Sequence, residues 1–208
     1  MSLGCLRRSL AVRIELPLAR LVALVAVALL GGCVAAPTLL PTPVSGQGFA
    51  LEGRISVNYG TQNVSGRLQW THELARDEIA LASPLGTQVA RLVRDATGVT
   101  LTDSEQATHR AADAETLTQQ RLGWRLPLDG LADWVRGRAS PGTPGTLSDS
   151  RLDSHGRLAS LAQSDWRIEY GYDDAAAVAR LPRRLFMRYL QSAEPLEIRL
   201  VIDQWTTP

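Results

Sequence analysis

The chain is poor in cysteine and has no lysine. Of its 208 residues two are cysteine, Cys5 and Cys33, both near the N-terminus. If the first is removed with a leader and the second is acylated, the folded part holds no disulfide and no free thiol. That excludes a cysteine nucleophile and a cysteine-ligated metal, and leaves core burial alone to stabilise an exported domain. All 22 basic residues are arginine. A need for guanidinium chemistry is one reading, and a GC-rich genome is the plainer one. The apolar run Leu21 to Leu30 has ten residues and as a helix rises about 15 Å, half the thickness of a hydrocarbon core, so it is too short to span. The histidines, His72, His109 and His155, stand in no HExxH or HxH spacing, and GxSxG, P-loop and GxGxxG patterns are missing. His72 at a strand end and His155 in a turn are expected to be solvated.

What is present begins with an address. Arg7, Arg8, Arg13 and Arg20 precede Leu21–Leu30, and Gly31-Gly32-Cys33 follows. A basic start, a short apolar stretch and small residues make a secretory signal. Arg7-Arg8 has the look of a twin-arginine pair, but the residues after it do not continue that pattern. Leu30-Gly31-Gly32-Cys33 resembles the lipobox of bacterial lipoproteins. That resemblance implies a diacylglyceryl group on the Cys33 thiol and cleavage just before it. Residues 34–48 carry three prolines among Gly, Ser and Thr, which suits an extended tether. The expected division is a signal peptide at 1–32, a lipidated N-terminus and tether at 33–48, and one domain at 49–208. Without the leader, 18 arginines face 20 acidic residues, a balance that offers nothing to nucleic acid.

From Phe49 the hydrophobic period is two. Leu51, Ile55, Val57 and Tyr59 alternate with polar residues, as do Val64, Leu68 and Trp70; each set predicts a half-buried strand. Further strands are expected at 78–82, 88–94, 98–102 and 106–110. The period then becomes helical. Asp113 suits the N-cap of a helix carrying Leu117 and ending at Gly123, and Pro127 suits the first turn of a second, with Leu128, Leu131, Trp134 and Val135 on one side. Residues 139–145 read as a loop. Strands resume at 147–153, 157–163, 166–172, 184–189 and 196–203. The fold class is mainly β with a helical insert. About eleven antiparallel strands curl into an incomplete barrel, and the helices at about 113–137 form a lid over its open mouth. A sandwich with a peripheral helical pair fits the periods equally well.

Five tryptophans, Trp70, Trp124, Trp134, Trp166 and Trp205, fall on these elements in a chain only 5% aromatic. They serve either as core or as the wall of an apolar cavity. Ser83-Pro84-Leu85-Gly86 sets one leucine at the tip of a tight turn. It either folds back on the sheet edge or stands exposed, where burying it in a membrane yields roughly 1.5–3 kcal/mol.

Together the lipobox Cys33, FALEGRISV at 49–57, SGRLQW at 65–70, the SPLG turn at 83–86, LGWRLPLDGLADWVRG at 122–137, WRIEY at 166–170 and the last strand ending in Trp205 resemble the LolB family. The resemblance covers nearly the whole chain after Cys33, in order. It implies a half-barrel with a helical lid and an outer-membrane receptor that accepts lipoproteins from the periplasmic carrier LolA and incorporates them into the outer membrane without nucleotide hydrolysis. It assigns Leu85 to membrane insertion and Cys33 to the anchor on the periplasmic face. Val34 after Cys33, in place of an inner-membrane-retaining Asp, fits that address. The implied partners are a LolA-type carrier, acylated client lipoproteins and the outer membrane; no cofactor, metal, nucleic acid or catalytic residue is expected, and a monomer is. Cavity residues follow from no motif. Strand alternation and helical spacing nominate Ile55, Val57, Leu68, Trp70, Ile79, Leu81, Leu131, Trp134, Trp166, Ile168, Tyr170, Ile198, Leu200 and Ile202. A lipid- or lipoprotein-sensing lipoprotein of the same fold, or a periplasmic hydrolase, are the rival classes.

Overall fold

The structure is a computed structural model and describes residues 48–141, 147–173, 181–191 and 194–207. The signal peptide, Cys33 and the tether up to residue 47 lie outside the described residues, as does most of the 139–145 loop.

Among the described residues eleven strands form one antiparallel sheet. β1 (Phe49–Tyr59), β2 (Gln62–Glu73), β3 (Arg76–Ala82), β4 (Gln88–Asp95), β5 (Gly98–Asp103) and β6 (Thr108–Ala111) make one meander. β7 (Leu147–Leu152), β8 (Leu158–Gln163), β9 (Trp166–Gly171), β10 (Arg184–Tyr189) and β11 (Leu196–Thr206) make the other. The spatial order is β6-β5-β4-β3-β2-β1-β11-β10-β9-β8-β7, so β6 and β7 remain open edges and the barrel is incomplete. The meanders join where the first and last strands pair, with Val57 opposite Ile198 and Ile55 opposite Leu200. This seam ties the two ends of the domain into the middle of the sheet.

Alternation produces one buried face. Along β11, Leu196, Ile198, Leu200 and Ile202 are buried while Glu197, Arg199 and Asp203 face out, Arg54 clasping Asp203 at 2.8 Å. Two glycines let the sheet curl tightly. A Cβ on Gly53 would meet the Val201 carbonyl oxygen at 2.2 Å, and one on Gly66 the Ala82 oxygen at 2.3 Å. Both stand on the inner face, where the neighbouring backbone turns inward over them; Gly53 also sits at a register shift between β1 and β11. Glycine in a strand commonly marks such a barrel corner.

Between the meanders the described residues form two helices. α1 (Ala114–Leu122) is capped by Asp113, whose carboxylate accepts from Thr116 N at 2.7 Å, and ends at Gly123 with φ 82°. α2 (Leu128–Trp134) begins one residue after Pro127, which therefore takes the cap position and not the first helical turn. Gly137, with φ 72°, marks the end of the turn that follows. The core is the inner face of the sheet together with Leu117, Trp124, Leu126, Leu128, Leu131, Trp134 and Val135 from the helical segment.

Candidate functional site

Beneath the helices lies a hollow lined by Ile55, Leu68, Trp70, Ile79, Leu81, Trp124, Leu126, Leu131, Met187, Ile198 and Leu200. Every lining side chain is apolar apart from the Trp70 and Trp124 ring nitrogens, and Trp70 turns its N–H to Asp77. Its volume is about 30 Å³, whereas ligand pockets run to roughly 300–1,000 Å³. The chain's own side chains fill most of the space. A smaller hollow adjoins it between Leu92, Leu101, Thr118, Leu122 and Trp124.

Of the nominated cavity residues, Ile55, Leu68, Trp70, Ile79, Leu81, Leu131, Ile198 and Leu200 line the hollow. Val57, Trp134, Trp166, Ile168 and Ile202 do not, although they are buried in the same apolar cluster. Alternation fixes the face of a strand and not the position along it. Trp166 stacks on Tyr189 with centroids 5.2 Å apart. Tyr170 also faces inward without lining the hollow. Its hydroxyl is buried with no partner among the described residues, and burial pushes the phenol's pKa up. Three lining residues were not nominated. Met187 sits on an alternating strand and was readable. Trp124 was weighed only as one tryptophan of five, and Leu126 lies between Arg125 and Pro127 in irregular backbone with no period to reveal it.

The helical segment is cross-tied within itself. The Thr118 hydroxyl donates to Ala114 O at 2.8 Å and accepts from Leu126 N at 2.9 Å, fastening α1 to the 123–127 turn. Gln119 donates to Gly123 O at 3.0 Å, and Arg125 lies 3.6 Å from Glu115. Trp124 and Leu126 hang from this turn into the hollow. α2 is fastened outward. Trp134 Nε1 donates to Gln163 Oε1 at 2.9 Å, and Gln163 exchanges two further bonds with the Ser140 backbone, at 2.9 and 2.7 Å. The Arg136 guanidinium lies 5.2 Å over the Phe49 ring, a cation–π contact.

One buried carboxylate organises the start of β3. Asp77 accepts from Trp70 Nε1 and Arg94 Nε, each at 2.9 Å, and from a second Arg94 nitrogen, with His72 Nδ1 at 2.8 Å. Arg94 also donates to Asp129 of α2 at 2.7 Å. Burial pushes the Asp77 carboxyl up, but the His72, Arg94 and Trp70 bonds outweigh it and hold it below its ordinary value. His72 is accordingly not the solvated residue its strand-end position suggests; its ring lies against Phe49, centroids 5.0 Å apart. His155 is exposed, as expected, and His109 pairs with Asp103 at 3.0 Å.

The Leu85 turn is built by Ser83. Gly86 N donates to Ser83 O at 2.9 Å, Ser83 N to Thr87 O at 2.7 Å, and Thr87 N to the Ser83 hydroxyl at 3.2 Å. Gly86 takes φ 91°, which the turn requires and an L side chain resists. Leu85 does not fold back: it is 95% exposed. A wider groove of about 370 Å³ lies along the outer face of β9–β11, bordered by Glu169, Arg184, Phe186 and Arg199, and its charged walls set it apart from the hollow. Among the described residues no group of three or more His, Cys, Asp or Glu is placed to hold a metal, and none has a helix long and apolar enough to cross a membrane.

A sheet curled into an open barrel, an apolar interior and a roof of two helices define the class of incomplete β-barrels with a helical lid. Within it, residues 47–205 match the family described as outer membrane lipoprotein LolB. The chain is 40% identical over 164 residues to the outer-membrane lipoprotein LolB of Nitrosomonas europaea, covering 78% of this chain and 74% of that one. It is 39% identical over 180 residues to that of Thiobacillus denitrificans, covering 85% and 91%. The crystal structure of a LolA superfamily protein from Nitrosomonas europaea aligns with a TM-score of 0.45 at 11% identity, over 80% of this chain and 88% of that one. The chain belongs to the LolB family of outer-membrane lipoproteins.

Proposed function

We propose that this protein receives acylated lipoproteins from a LolA-type periplasmic carrier and passes them into the outer membrane, holding their acyl chains in the hollow beneath the lid. The observation that carries the reading is that hollow: an interior lined by apolar side chains, with Trp124, Leu126 and Leu131 of the helical segment among them. Exposing one methylene to water costs about 0.8 kcal/mol, so a chain of roughly fourteen costs about 11 kcal/mol and cannot cross the periplasm bare. A receptor must offer an apolar refuge that is better than the carrier and worse than the bilayer.

In this reading residues 1–32 are the signal, Cys33 bears the lipid anchor, 33–48 form the tether, and the domain from Phe49 acts as a monomer. Leu85 meets the membrane, and no cofactor takes part. Mass spectrometry of the mature N-terminus checks the anchor. Mixing the purified protein with a loaded LolA-type carrier at equal concentrations checks the direction. Net movement of lipoprotein to this protein is expected, and net return to the carrier would sink the affinity order.

A further inference from the structure

The two ends of the lid are held differently. Among the described residues no hydrogen bond or ion pair joins 114–128 to a strand; the bonds of that stretch run within the lid itself. Its hold on the sheet is apolar, through side chains such as Trp124 and Leu126. The stretch 129–140 is instead fastened to both meanders, by Asp129 to Arg94 on β4 and by Trp134 and Ser140 to Gln163 on β8.

The free part has a definite place. The Gln62 side-chain oxygen stands 3.7 Å from where a Cβ on Gly123 would lie. Gln62 opens β2, at the end of the sheet where β3 closes, since Arg67 pairs with Ala82. The Leu85 turn joins β3 to β4 at that same end. Gly60 N donates to Pro195 O, bringing the β10–β11 connection with Leu190 there too. Val64, opposite Val57 on the inner face, is half-exposed at the same end. Phe49, Asp77, Arg94 and the clasp to Asp129 lie at the other.

We propose that acyl chains enter and leave through one portal at the Leu85 end, between the 122–127 turn and the adjoining ends of β1 and β2. The turn lifts while 129–140 serves as the hinge. Val64 is then an apolar rim to the portal, and a departing acyl chain emerges beside the leucine that meets the bilayer. This rests on the reading that the hollow takes acyl chains.

A photocrosslinking amino acid placed singly at Val64, Leu131 or Leu74 in the full chain tests the portal, with a radiolabelled triacylated lipopeptide as probe and phospholipid vesicles as acceptor. Leu74 is the control, 80% exposed in the β2–β3 turn at the opposite end. Label is expected at Leu131 after loading, and at Val64 during discharge several-fold above Leu74. Label at Leu131 with Leu74 equal to or above Val64 would overturn the portal alone. Label missing from Leu131 would overturn the acyl-binding reading and the portal with it. Hydrogen exchange on the unsubstituted protein gives a second readout, independent of whether the Leu131 variant folds. Loading with the lipopeptide is expected to strip protection from 122–127 and leave 129–135 protected; the reverse pattern would overturn the hinge.

Discussion

Leu85 and Asp77 represent two kinds of residue in this fold. Leu85 contributes nothing to the core, because its side chain is 95% exposed on a turn that Ser83 and Gly86 hold without it. Leu85→Glu should therefore leave the melting temperature within a degree or two, surface changes of this kind being worth about ±0.5 kcal/mol. Uptake from the carrier should persist while delivery into liposomes falls, since a carboxylate replaces the apolar contact; normal delivery would reject a membrane role for the turn. Asp77 is the opposite case. Asp77→Ala leaves the Arg94 guanidinium with Asp129 alone and removes the partner of Trp70 and His72, and should cost about 3 kcal/mol. The sign with pH follows from its depressed pKa. The stabilisation is fully present above the ordinary value of 3.8 and is lost as pH falls through the lower, folded-state value. Chemical denaturation from pH 7 down to 3 should show the parent and the variant drawing together below about pH 4. A gap that stays constant would mean that the charge of Asp77 is not what stabilises the site.

The elements divide by how far their contacts reach along the chain. Period-two alternation revealed the strands because each needs only its own residues to show a buried face. Asp113 and Gly123 likewise marked helix ends through local chemistry, whereas Gly137 ends the turn after the second helix, which itself stops at Trp134. The pairing of β1 with β11 was not legible, because nothing in Val57 or Ile198 alone says that residues 141 apart are neighbours. The same limit governed the site. Val57 and Ile202 face inward as expected yet pack beyond the hollow, while Leu126 reaches it from a turn that has no period. Gln163 was equally hidden: a glutamine at the end of β8 gives no sign that it fastens a helix. Gln163→Ala leaves Trp134 Nε1 and both Ser140 backbone groups without partners in a buried setting, and should cost about 2–4 kcal/mol. Amide exchange should then accelerate in 129–140 more than in β1 or β11. Uniform acceleration would make Gln163 a general core residue and not a fastening of the lid.

At the scale of the whole molecule, the small hollow bears on how the proposed transfer would run. Opening the lid takes Trp124 and Leu126 out of apolar surroundings, on the order of 4–6 kcal/mol for the pair. That is less than the roughly 11 kcal/mol by which shelter favours one acyl chain over water, so a bound chain offsets the cost of opening relative to water, and the remainder sets its balance against the carrier and the bilayer. When the chain leaves, these two side chains refill the space and recover that free energy. If the hollow takes acyl chains as proposed, its filled form competes with them and favours discharge into a bilayer, where the chains lose nothing. Trp124→Ala weakens the competitor. The variant should retain a triacylated lipopeptide more strongly against phospholipid vesicles, by about tenfold for each 1.4 kcal/mol of competition removed. Its uptake from the carrier should be undiminished. Equilibrium partition of the lipopeptide between purified protein and vesicles measures this directly. Partition that is unchanged, or shifted toward the vesicles, would show that Trp124 acts as part of the acyl-binding wall and that discharge is not assisted by closure of the lid.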